Sequence, residues 1–199
     1  MKKNSNLKKS VFDFPKMSKP EIILLWGSCL WVLGAGMFGP LFAVFVERIG
    51  GNILDISWIY AVFLIVTGVG KIVVGRISDI IGYEKLMIAG YAINAIATFG
   101  YIFVSSTMGL LVIQILLGIA LALADPTWLA LYDKFSGDGS SDGYIWGLLT
   151  GMSGITSGIA ILIGGVIVTL FSFKILFICM SIVLAFSAIY QSLIFKYKY

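Results

Sequence analysis

The chain has 199 residues, 59% of them hydrophobic and only 12% charged, with a net charge of +4 and a mean hydropathy of +1.01. A soluble globular domain carries about 25% charged residues, so this balance argues against a soluble enzyme or nucleic-acid-binding domain and for an integral membrane protein. There is no His, which removes the usual metal ligand and neutral-pH proton carrier, and both cysteines, Cys29 and Cys179, fall inside apolar runs where neither suggests a disulfide or a zinc site.

Residues 1–20 form a basic polar tail with Lys2, Lys3, Lys8, Lys9, Lys16 and Lys19. A nucleic-acid arm has the same composition, but an apolar run from Glu21 to about Val46 follows at once. That run exceeds the ~7–15 residues of a signal-peptide core and reads as an uncleaved first span. Further apolar runs recur at roughly 56–74, 86–104, 108–131, 144–171 and 175–195. Each is near the ~20 residues that cross ~30 Å of hydrocarbon. The sequence therefore predicts an all-α integral membrane protein, with one domain of six transmembrane helices over 21–199.

Lys and Arg set the expected orientation. With the N-terminus inside, the inner segments hold the six tail lysines, Arg76, Lys85, Lys134, Lys196 and Lys198, whereas the outer loops hold only Arg48 and Lys174. Eleven against two is a positive-inside bias that predicts cytoplasmic termini and an inner, or plasma, membrane location.

Between the second and third runs lies Gly75-Arg-Ile-Ser-Asp-Ile-Ile-Gly-Tyr-Glu-Lys-Leu86. It reads as a short charged loop, with Gly75 and Gly82 allowing tight turns and Asp79 in the bend. Gly75, Ile77, Ser78, Asp79 and Gly82 match the pattern Gly-x-Leu-Ala/Ser-Asp-Arg-x-Gly-Arg/Lys-Arg/Lys, with Ile77 for Leu. Ile80 replaces the first basic residue, and Tyr83 and Glu84 stand at the basic pair, with Lys85 one place later. This resembles the signature loop between helices two and three of the major facilitator superfamily of secondary transporters.

Other spans are similar to the same superfamily in order. The Gly39–Gly51 stretch resembles the Pro-Leu-x-x-x-Tyr-x-x-x-Leu-Gly ending of its first helices. Gln114 to Gly118 stands where many members carry Arg-x-x-x-Gly, and Gly164-Gly165 followed by Phe171 and Phe173 resembles the Gly-Gly and aromatic pair before helix six. The resemblance covers nearly the whole chain and corresponds to the N-terminal half of a twelve-span member, two inverted three-helix repeats. It implies a secondary transporter of a small solute by alternating access, with the Gly75, Arg76, Ser78, Asp79, Gly82 and Lys85 loop as a conformational latch. Trp31, Tyr60 and Gln114 would face a site near the midplane. It also implies a second six-helix half, as a separate chain or a homodimer. Gln114 is neutral and cannot do the electrostatic work of the arginine that many members use in proton coupling.

Two intramembrane charges stand out. Tyr60, Leu64, Thr67 and Lys71 share a face of span two, and Gln114, Gly118, Ala122 and Asp125 share a face of span four. Lys71 reads either as a side chain snorkelling to the interface or as part of a cavity wall, since intramembrane charges mark function. Asp125 reads either as half of a helix-distorting Asp-Pro pair or as the partner of Lys71 across the cavity. Among the glycines, Gly118, Gly154, Gly158, Gly164 and Gly165 are assigned to helix packing. Tyr91, Asn94, Thr98 and Tyr101 form one face of span three, assigned to helix–helix hydrogen bonding. Asp138 to Gly143 copies the first six places of a calcium loop, but Leu149 stands where the bidentate acid is required, so it reads as a cytoplasmic turn. No nucleophile–base pair, phosphate loop or metal cluster appears, and neither cofactor nor metal is expected. A non-transporting six-span protein, a fragment or partner-binding scaffold, is the competing class.

Overall fold

The computed structural model describes residues 17–136 and 143–197. The tail lysines other than Lys19, the Asp138–Asp142 part of the turn, and Lys198 lie outside the described residues. Seven α-helices follow in order: α1 (Lys19–Gly36), α2 (Leu41–Arg48), α3 (Ile53–Ile81), α4 (Tyr83–Gly100), α5 (Thr107–Ser136), α6 (Gly143–Leu170) and α7 (Phe173–Gln191). Short 3₁₀ turns, Tyr101–Phe103 and Ser192–Lys196, extend α4 and α7. Six segments are long and apolar enough to cross a membrane, and the first of them combines α1 and α2.

The helix starts are written in side chains. Ser18 Oγ accepts from the Glu21 amide, and the Glu21 carboxylate accepts from the Ser18 amide, a reciprocal cap at the start of α1. Asn52 and Asp55 do the same for α3, with Asn52 Oδ1 accepting from Leu54 and Asp55 amides at 2.8 and 3.1 Å. Ser172 Oγ caps α7 by accepting from the Ile175 amide.

Two expectations about chain path need correction. The run 21–46 is not one continuous helix: α1 ends at Gly36, four residues turn, and α2 begins after Pro40. Proline has no amide hydrogen to donate and its ring crowds the preceding turn, so an apolar run containing it stays membrane-compatible while the helix breaks. Nor is 75–86 a loop. Helix α3 runs through Ile81, α4 starts at Tyr83, and the reversal falls on Gly82 with φ +102°. That left-handed backbone suits glycine. Gly75 lies inside α3 and makes no turn.

Packing follows a regular scheme. Helix α5 lies between α3 and α4, α1 lies between α6 and α7, and α4 packs on α7 to join the two groups. Exchanging spans one to three for spans four to six maps these neighbours onto themselves, as expected of two inverted three-helix repeats. The six-helix, all-α membrane fold read from the sequence is thus present.

Two apolar clusters hold the bundle near its opposite ends. At the end away from Gly82, the Phe38 ring meets Tyr101 at 5.1 Å and Phe177 at 5.2 Å, edge to face, and Tyr101 stacks on Phe177 at 4.8 Å. Such ring pairs add about 0.5–1.5 kcal/mol each beyond the area they bury. At the other end Leu24, Leu25, Met87, Leu131, Tyr132 and Ile194 pack together. Helices α3 and α6 bury the least of their surface.

The glycines divide sharply. A Cβ at Gly118 would sit 3.0 Å from Val66 Cγ1 and 3.1 Å from the Phe63 oxygen, so Gly118 sets how closely α5 approaches α3. A Cβ at Gly164 would overlap the Met37 carbonyl oxygen, so α6 rests against the broken turn of the first span only because Gly164 has no side chain. Gly154, Gly158 and Gly165, assigned with them to helix packing, have open space where a Cβ would stand. Within this chain they pack against nothing: α6 turns them away from α1 and α7.

Candidate functional site

A cavity of ≈ 710 Å³ opens among the first four spans. Helix α1 and the turn after it contribute Trp31, Ala35, Gly39 and Pro40; α3 contributes Ser57, Tyr60 and Phe63; α4 contributes Asn94 and Thr98, and α5 contributes Gln114, Leu117 and Leu121. Breaking the first span at Met37–Pro40 is what lets α2 bring Phe42 and Ala43 to the same wall. Trp31, Tyr60 and Gln114, the residues assigned to the midplane site, all line it. Among the lining residues none carries a formal charge. The wall is aromatic, with hydroxyls and two carboxamides set into it.

The carboxamides, Asn94 and Gln114, are set deep in the wall. Gln114 is 5% exposed and Asn94 is 6% exposed, so each amide meets either the cavity or other protein atoms. Asn94 Oδ1 has no hydrogen-bond partner among the described residues. An unsatisfied acceptor at that depth costs about 1–3 kcal/mol, and the oxygen itself is enclosed by protein atoms rather than open to the cavity. Sequence reading assigned Asn94 and Thr98 to helix–helix hydrogen bonds; the structure puts both on the cavity wall. The 3–4–3 spacing of polar residues on span three was the available signal, but spacing alone does not say whether a polar stripe faces a helix or a void.

A second cavity of ≈ 470 Å³ shares Trp31 and Leu121 with the first and lies toward the Gly82 end. Its wall includes Tyr91, Asp125, Trp128, Trp146, Thr150 and Ser153. Trp31 divides the two spaces, held by a tilted contact with Tyr91 at 4.2 Å between ring centroids. Trp128 donates its indole N–H to the Leu24 carbonyl at 3.1 Å, which fixes that ring between α5 and α1.

Lys71 and Asp125 form a salt bridge, with Nζ 2.6 Å from Oδ2, joining α3 to α5. The pairing expected as one alternative for Asp125 is thus present, while Lys71, read as snorkelling or as part of a cavity wall, lines neither of the two cavities. Helix α5 continues through Asp125 and Pro126 without interruption. Thr67, on the same stripe as Lys71, is buried, donates to the Phe63 carbonyl at 2.8 Å, and lines neither cavity. Thr67, expected on the cavity wall, is therefore not part of it.

Around the Gly82 reversal, Asp79 is exposed and accepts a hydrogen bond from the Tyr83 hydroxyl. The Tyr83 ring lies 4.2 Å from Lys134 Nζ, a cation–π contact that ties α4 to the end of α5. Ser78 is buried and donates to the Gly75 carbonyl at 3.2 Å, while Arg76 and Lys85 are exposed. Tyr83 and Lys134 thus supply around Asp79 an aromatic ring and a cation where the family pattern has consecutive basic residues.

Residues 24–198 match the Major Facilitator Superfamily. The chain belongs to that superfamily. Among curated superfamily relatives, an uncharacterised MFS-type transporter of Methanocaldococcus jannaschii is 26% identical over 159 residues, 80% of this chain and 41% of the relative. The multidrug resistance protein MdtG of Klebsiella pneumoniae is 26% identical over 188 residues, covering 90% of this chain and 45% of that protein. MdtG of Enterobacter lignolyticus is 24% identical over 183 residues, 89% of this chain and 44% of the relative. The chain therefore spans less than half the length of the curated relatives it matches. Family membership and the six long apolar helices make this a multi-pass membrane protein of that superfamily.

Proposed function

We propose that this chain forms one wall of an alternating-access cavity and moves a small organic solute together with a second six-helix unit, carried on the same longer polypeptide or on a separate chain. The observation that carries the reading is the uncharged ≈ 710 Å³ cavity, with two buried carboxamides and several aromatic rings drawn from spans one to four. Such a wall suits an uncharged or amphipathic solute that stacks on rings and exchanges a few hydrogen bonds. The multidrug naming of MdtG agrees with that chemistry. Asp79 and its neighbours would latch the Gly82 end when the cavity opens at the other. The positive charge of the segments around Gly82 supports placing that end, and both termini, in the cytoplasm of an inner or plasma membrane.

The test is uptake of a panel of lipophilic and amphipathic solutes into sealed vesicles, with and without a pH gradient. Lys85→Cys labelling by an impermeant thiol reagent, in a background lacking Cys29 and Cys179, reports orientation in the same vesicles. At least one solute should be carried, and Asn94→Ala or Gln114→Ala should slow it by about tenfold, one lost buried hydrogen bond's worth of discrimination. Uptake of no solute above empty vesicles would leave the non-transporting six-span protein as the better account, and uptake by the wall variants equal to the wild type would take this cavity out of the transport path.

A further inference from the structure

Arg48 and Lys174 are the two cations that run against the positive-inside bias, and the fold brings them to one pocket. A cavity of ≈ 550 Å³ at the end of the bundle away from Gly82 is lined by both, with Ser105 and Ser172 beside them and the Phe173 ring in its wall. The Arg48 guanidinium carbon lies 5.5 Å from the centroid of that ring. Stacking holds the guanidinium while leaving its in-plane N–H donors unspent. Neither cation is ion-paired with a carboxylate among the described residues, and no carboxylate lines the pocket.

Two like charges converging on one concave site repel each other unless an anion lies between them. Arg supplies a planar fork that matches two phosphate oxygens, Lys a point charge, and the serines two further donors. The surroundings say which phosphate. Phe103, Leu170 and Phe171, adjoining the pocket segments in sequence, are 74%, 69% and 65% exposed, an apolar belt that a free phosphate would leave unused. We propose that this pocket holds the phosphodiester headgroup of an anionic phospholipid, with its acyl chains along the exposed belt. The site meets the cavity assigned to solute only at Tyr101, which lines both, and does not depend on the transport reading.

Native mass spectrometry of the full chain, released from micelles doped with phosphatidylglycerol or chain-matched phosphatidylcholine, tests this. One net negative charge held between two cations predicts about tenfold preferential retention of phosphatidylglycerol. That preference should fall to near unity in Arg48→Gln/Lys174→Gln, fall partly in Lys174→Gln alone, and persist in Arg48→Lys. Lys174 is exposed in the first turn of α7, so the single variant keeps the Arg48–Phe173 stack and reads binding even if the double variant folds poorly. Equal retention of the two lipids by the wild type, or an undiminished preference in Lys174→Gln, would overturn the assignment. Displacement of the lipid by millimolar inorganic phosphate would give the pocket to a free anion and overturn it as well.

Discussion

Lys71 and Asp125 show how one contact can decide between readings that a sequence leaves open. Each is a charge on an apolar helix, and each has a plausible role alone. At 2.6 Å they neutralise one another between α3 and α5, and their side chains remain 39% and 48% exposed beside the second cavity. An unpaired Lys or Asp near a helix centre costs about 2.5–3.5 kcal/mol to insert in a bilayer. Removing one partner strands the other, so Lys71→Ala and Asp125→Ala should each destabilise the protein by roughly 1–3 kcal/mol, reduced from that insertion cost by the half exposure. The double substitution should lose less than the sum of the two, and thermal melting in mild detergent reads the difference. Additive losses would mean that the charges act independently. Thr67 shows the limit of a stripe read from spacing: it lies on the Lys71 face of α3, yet it is buried and lines neither cavity.

Helices were legible in the sequence wherever hydropathy alone defines them. Six apolar runs became six spans because a backbone in hydrocarbon must satisfy its amides internally, and length then leaves little choice. What hydropathy does not register is where the chain breaks inside an apolar run, as at Met37–Pro40, or how far a helix continues past one, as from Gly75 to Ile81. Amide pairing makes those decisions, and charged residues such as Arg76 and Asp79 are compatible with helix once they reach the interface. Three residues of the candidate wall, Trp31, Tyr60 and Gln114, were implied by the resemblance to the superfamily. Placing Asn94 and Thr98 there required knowing which neighbours span three packs against. Glycine roles were readable only in part for the same reason, since composition cannot tell a glycine pressed on a backbone from one facing open space. That distinction has a measurable consequence. Gly164→Ala must push α6 away from Met37, and Gly118→Ala must displace Val66, so each should cost about 1–3 kcal/mol in thermal melting. Gly158→Ala meets nothing within this chain and should leave its melting temperature unchanged or slightly raised, because alanine favours helix by up to ~1 kcal/mol over glycine. A marked loss for Gly158→Ala in the isolated chain would mean that α6 packs differently from the arrangement described.

At the scale of the whole molecule, the open faces of α3 and α6 carry the remaining argument. Tyr60, Thr150 and Gly158 are exposed, and Ser153 and Ser157 are partly so, whereas Gln114 and Thr67 are enclosed by the chain itself. Thr150 satisfies its hydroxyl on the Trp146 carbonyl at 2.7 Å, which makes its exposure to lipid tolerable. The first cavity is a different matter. Its wall carries Ser57, Tyr60, Asn94, Thr98 and Gln114, and hydrocarbon filling it would leave polar groups there without partners at a cost of up to several kcal/mol. A second six-helix unit closing over α3 and α6 would keep that space wet, and the open glycines at 154 and 158 would let its helices approach closely. If the partner is another copy of this chain, the pair should be related by a twofold axis along the membrane normal, the relation of the two halves in twelve-span transporters. Cysteines at Tyr60 and Gly158, in a background without Cys29 and Cys179, should then crosslink between chains and give a dimer mass in mild detergent. Adding Gly154→Leu to the same pair should abolish that product while sparing the fold of each copy, because its side chain enters open space in the isolated chain. A monomer, with both cysteines freely labelled by a lipid-soluble reagent and no crosslinked species, would rule out self-assembly. It would require that the closing wall come from a different polypeptide segment.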